Sequence, residues 1–150
     1  MSSSILDKVY DGEYVAYNKL PQAALIGAVF GAIANVIILN VGRAFGTPFM
    51  LESPQSGMIE PLPAFIVVIA SIAPAIAAAV LLGLLPRFTK RPFTAFWIIS
   101  AVALWLSTYG PSGTPTDGEA TVMGLNLMHM MSAAAIVGAF SALARADTEQ

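Results

Sequence analysis

Residues 121–143, TVMGLNLMHMMSAAAIVGAFSAL, run for 23 positions without an Asp, Glu, Lys or Arg. Wound as an α-helix at about 1.5 Å per residue, that length crosses the ~30 Å hydrocarbon core of a bilayer. The segment holds the chain's single histidine, His129, with Asn126 three positions earlier on the same helical face. Polar side chains at such depth turn toward protein, because an unpaired polar group in hydrocarbon is costly. The segment is therefore expected to pack against other apolar helices, and the sequence supplies candidates at 22–42, 63–85 and 93–109.

Composition supports this. Hydrophobic residues make up 57% of the 150 positions and charged residues 11%, about half the usual charged share of soluble domains. The expectation is a single membrane domain over 1–150, an all-α, up-down bundle of four transmembrane helices, with polar tails at 1–20 and 144–150. About twenty polar residues, acids as well as lysines, precede the first apolar run, unlike a secretory signal, so that run is expected to be a retained span. The chain has no cysteine, which removes disulfides, thiolate metal sites and thiol catalysis. A net charge of −2 with no basic run gives no reason to expect nucleic acid.

Each segment carries its own signals. In the tail, Tyr10, Tyr14 and Tyr17 suit the headgroup region, and Val9, Tyr10, Val15 and Ala16 form a weak amphipathic strip broken by Asp11 and Gly12. Pro21 suits a helix start. Gly27 and Gly31 form a GxxxG pair continued by Asn35 and Gly42, a thin face suited to close packing within the chain. The Pro- and Gly-rich connection 43–62 is amphipathic through Phe45, Phe49, Met50 and Leu51 and is expected to lie on the membrane surface. Pro74 should kink the second span and free the Ala70 carbonyl, with Ser71 near enough to help re-satisfy it. Ala75, Ala78 and Ala79 make one side of that span thin. The third span, expected to end at Tyr109, bears Trp97, Trp105 and Tyr109. Trp105 is deeper than an interfacial belt requires. A loop of turn residues, GPSGTPTDGEA, should follow.

The basic residues orient the chain. Lys8, Lys19, Arg87, Lys90, Arg91 and Arg145 fall on one side and only Arg43 on the other. Both termini are thus expected in the cytoplasm, with the chain in the inner (plasma) membrane. Glu52, Glu60, Asp117 and Glu119 make the opposite face acidic. No repeat relates the first helix pair to the second, which argues against an inverted-duplication transporter.

Few groups could carry chemistry. His129 could ligate one metal, such as a chlorin magnesium or a haem iron, but bis-histidine haem is impossible within one chain that has one histidine. Met123, Met128, Met130 and Met131 splay around a helix and read as packing rather than a copper site. No carboxylate or lysine lies within a span, which argues against proton coupling. Asp117 and Glu119 offer a cation two carboxylates but no third ligand. Asn35, Asn40, Ser71, Ser100, Ser107, Asn126, His129 and Ser132 could line a small polar pocket or join the helices. No nucleotide loop, metalloprotease motif or hydrolytic acid–base pair is present, so no enzyme activity, catalytic residue or metal site is expected.

In GAIANVII of the first span, IASIAPAIAAAVL around Pro74 and LMHMMSAAAIVG around His129, the sequence resembles a family of small bacterial four-helix integral membrane proteins of uncharacterised function. The resemblance implies the same topology and no activity. Taken together, the residues favour a non-enzymatic accessory or structural subunit without a cofactor, packed in the lipid bilayer against other membrane subunits or itself. The alternatives are a small-solute transporter or channel using a pocket near Asn126 and His129, and a pigment or haem binder through His129.

Overall fold

The computed structural model describes residues 13–53 and 56–146. Lys8, Val9, Tyr10, Asp11 and Gly12 of the expected tail, and 147–150, lie outside these residues. The described chain is mostly helical, with four helical spans long and apolar enough to cross a membrane. They are α1 (Leu20–Ala44), α2 (Ala64–Leu84), α3 (Pro92–Ser107) continued by the short α4 (Tyr109–Gly113), and α5 (Glu119–Leu143). Prolines mark three starts. Pro21 and Pro92 sit in first turns and Pro63 just precedes α2, positions where the missing N–H removes no helical bond.

The third span therefore runs to Gly113 and does not stop at 109. Pro111 is the third residue of α4, where its N–H would be unpaired in any case. The hydroxyls of Thr108, Ser112 and Thr114 donate to the carbonyls of Trp105, Thr108 and Gly110 at 2.7, 2.9 and 2.9 Å, so this turn satisfies itself.

Two small ladders correct the all-α expectation. β1 (Tyr14–Val15) pairs antiparallel with β4 (Arg145–Ala146), and β2 (Met50–Glu52) with β3 (Ile59–Pro61). Pro48, Pro54, Pro61 and Pro63 bar a helix across this connection, so its backbone groups pair as extended chain instead. The hairpin also joins the loop before α5, through Leu51 opposite Thr116 and hydrogen bonds between Met50 and Asp117.

α1 is the central helix, flanked by α2 and α5. At Gly27 a Cβ would stand 2.9 Å from the Cα of Ile136, so only glycine permits this approach of α1 to α5. Two apolar cores result. One, nearer the termini, contains Ala23, Leu82, Phe93, Phe96, Ile136 and Phe140, and the other contains Leu39, Phe49, Leu62, Val67 and Met128.

Phe49 is not a surface residue. It is 1% exposed, and its ring fits a socket that exists because Gly42 and Gly124 lack side chains. A Cβ on Gly42 would stand 2.4 Å from one edge of the ring, and one on Gly124 would stand 2.5 Å from the other. Phe49 adopts φ +52°, a left-handed conformation unfavourable for a bulky residue. Burying the ring offsets that strain, because a buried aromatic contributes more than the ~1–3 kcal/mol such a backbone costs.

At the opposite end the two described chain ends meet the α2–α3 turn. Glu13 accepts hydrogen bonds from the Thr94 amide and hydroxyl, both at 3.0 Å, covering an orphan donor in the first turn of α3. Arg145 lies 3.7 Å from the same carboxylate and over the Phe93 ring at 4.8 Å. Burial alone would raise the Glu13 carboxyl. Donors from Thr94 and Phe93, with Arg145 beside them, outweigh it and hold the group below its ordinary 4.5.

Candidate functional site

Between the two cores lies a polar node. Ser71 donates its one hydroxyl hydrogen to the Val67 carbonyl at 2.8 Å, so it can only accept from Asn35. That fixes the amide orientation: Asn35 Nδ2 donates to Ser71 Oγ at 3.0 Å and to Ser132 Oγ at 2.8 Å. One asparagine thus joins α1 to both neighbours. It stands nine residues before the end of α1, about 13 Å along the axis, near mid-bilayer depth for a spanning helix. Asn35 is 5% exposed, and with both amide hydrogens used its Oδ1 is buried without a donor.

Ser71 does not repair the proline break, contrary to expectation. Pro74 has no N–H to give the Ala70 carbonyl, and the Ser71 hydroxyl is committed one turn earlier, to Val67.

The node forms part of the floor of a cleft of ≈ 810 Å³ bounded by α2, α3, α4 and α5. The cleft exists because α3 is buried only in its first turns, at Pro92, Phe93 and Phe96, where Phe96 packs on Phe140 at 5.7 Å. Beyond that α3 stands away from α2, and Ala70, Pro74 and Ala77 face the gap with small side chains that do not fill it. Among the described residues no charged side chain lines it.

His129 and Ser100 are on the cleft wall. His129 Nδ1 lies 2.8 Å from the Leu125 carbonyl. A carbonyl only accepts, so Nδ1 carries a proton, and in the neutral ring Nε2 then keeps its lone pair. His129 therefore bonds within its own helix and ties no helices together. Ser100 has no hydrogen-bond partner among the described residues.

The expected pocket does not bring Asn126 and His129 together. Asn126 does not line the cleft, and its Oδ1 is buried without a donor. Asn35 takes that place from α1. Asn40 and Ser107 turn back on their own helices, to the carbonyls of Val36 at 2.7 Å and Leu104 at 2.7 Å. Gly31 faces Ser132, with room for a Cβ at 3.5 Å. Met128 is buried, whereas Met123, Met130 and Met131 are exposed, so the four sulfurs do not converge. Among the described residues no three His, Asp or Glu side chains cluster as a metal site would need.

A family model matches residues 16–146, from just after β1 to the last strand. The chain belongs to a family of unknown function, DUF6069. The DUF6069 match takes in every cleft residue and all four spans. No curated protein and no solved structure matches the chain.

Proposed function

We propose that this chain is a multi-pass integral membrane protein of the plasma membrane that performs no chemistry and serves as an accessory subunit of a larger membrane assembly. Four apolar spans with large hydrophobic side chains exposed on their outer sides support the membrane reading.

Trp105 carries the accessory reading. With the third span extended to Gly113, Trp105 stands eight residues, about 12 Å, inside its end, well below an interfacial belt. It is exposed on α3, packs edge-on against Tyr109 at 5.4 Å, and its indole N–H has no acceptor among the described residues. Trp97, by contrast, donates to Ser141 at 3.0 Å. An unpaired indole N–H in hydrocarbon is unfavourable, and a neighbouring protein that supplies an acceptor and covers the ring resolves it.

A photo-crosslinking residue placed at Trp105 in cells should capture one discrete membrane protein. The same residue at Phe65, exposed on α2, should give lipid adducts only. In a mild detergent the crosslinked partner should co-migrate with the chain at fixed stoichiometry. Lipid adducts at both positions, with the chain migrating alone, would remove the accessory role.

A further inference from the structure

We propose that the cleft between α2, α3 and α5 holds one neutral, alcohol-headed amphiphile taken from the bilayer, with the His129 imidazole receiving its hydroxyl. The inference rests on the membrane reading above but not on the accessory role. Volume decides the kind of occupant. The cleft measures ≈ 810 Å³, within the roughly 300–1,000 Å³ of small-molecule pockets.

Charge decides the head group. Among the described residues no Lys, Arg, Asp or Glu lines the cleft, so a phosphate, carboxylate or ammonium would be buried without a counter-charge. The polar groups that are present select a hydroxyl. Nδ1 of His129 is committed to Leu125, which leaves Nε2 as an acceptor on the wall. Ser100, which has no hydrogen-bond partner among the described residues, lines the same cleft. A hydroxyl can donate its hydrogen to Nε2 of His129, which an ether or ester oxygen cannot do. The lining residues from Ile66 to Leu81 on α2 and from Phe96 to Leu104 on α3 are apolar apart from Ser100 and suit a hydrocarbon body, while Asn35, Ser107, Thr114 and Ser132 add polar groups to the rest of the cleft. The helix turn lacking its hydrogen bond at Pro74 lies on the same wall, where the chain can adjust most easily.

His129 is the only histidine, so a histidine-¹⁵N sample reports this one ring. The full-length protein in phosphatidylcholine nanodiscs would be titrated with oleyl alcohol, its methyl ether and oleate. The alcohol should move the Nε2 resonance saturably and bind roughly five- to tenfold more tightly than the ether, the ratio expected for one hydrogen bond. Oleate should not compete. Ala103→Phe, which fills the cleft from α3, should abolish the shift. His129→Phe should bind alcohol and ether alike.

Equal affinity for alcohol and ether in the unmodified protein would overturn the proposal. So would a shift that survives Ala103→Phe, a dimer mass lost with that variant, or a visible absorbance band marking a metal macrocycle. A protein recovered outside the membrane fraction would instead overturn the reading on which the proposal rests.

Discussion

Phe49 shows how one side chain can fix the end of a bundle. Its ring is held between two helix backbones, so its contribution and that of the facing glycines are one quantity seen from two sides. Phe49→Ala should lower unfolding stability in detergent by about 3–5 kcal/mol, the range for emptying an aromatic site. Gly124→Ala should also destabilise the native protein, since its Cβ would collide with the ring at 2.5 Å. In the Phe49→Ala background the sign should reverse, because alanine is then free to express its ~1 kcal/mol advantage over glycine in a helix. A double-mutant cycle by thermal denaturation checks this, and additive losses would mean the ring is not in its socket. None of it was legible in the sequence. Phe49 sits among prolines and glycines in a connection that looks like surface, and nothing local says that Gly42 and Gly124, on separate helices, leave a gap of its width.

At the scale of elements, uncharged runs located the helices, and the prolines at 21, 63 and 92 marked three of their starts, whereas Pro74 lies inside α2. The α4 extension was hidden, since Gly110, Pro111 and Gly113 read as a loop unless hydroxyl-to-carbonyl bonds are known to close the turn. The GxxxG stripe was visible, but not which glycine governs the α1–α5 contact. Geometry assigns that to Gly27, whose Cβ would meet the Ile136 backbone at 2.9 Å, whereas Gly31 has 3.5 Å to Ser132. Gly27→Ala should therefore cost roughly 1–3 kcal/mol through forced helix separation. Gly31→Ala should melt at or above the temperature of the parent protein. Equal melting shifts for the two would show that the helices slide to accommodate either. The polar node follows the same logic: Asn35 and Ser71 were recognisable as inward polar residues, but their partnership depends on helix register, which periodicity alone leaves open.

For the whole molecule, topology and charge distribution converge. β1 with β4, and Glu13 with Thr94 and Arg145, hold the described chain ends beside the α2–α3 turn. Lys19, Arg87, Lys90, Arg91 and Arg145 therefore gather at that end of the bundle. The hairpin end keeps Arg43, which donates to the Leu62 carbonyl at 2.6 Å, together with Glu52, Glu60, Asp117 and Glu119. A basic end of this kind is retained in the cytoplasm, so the hairpin should face outward. The chain has no cysteine, so a single introduced thiol reports without background. Ser112→Cys, exposed near the hairpin end, should react with a membrane-impermeant maleimide in intact cells. Phe88→Cys, exposed in the basic turn, should react only after the membrane is permeabilised. The reverse pattern would show that the acidic end faces inward, and labelling of both in intact cells would show that the charge asymmetry does not set a single orientation.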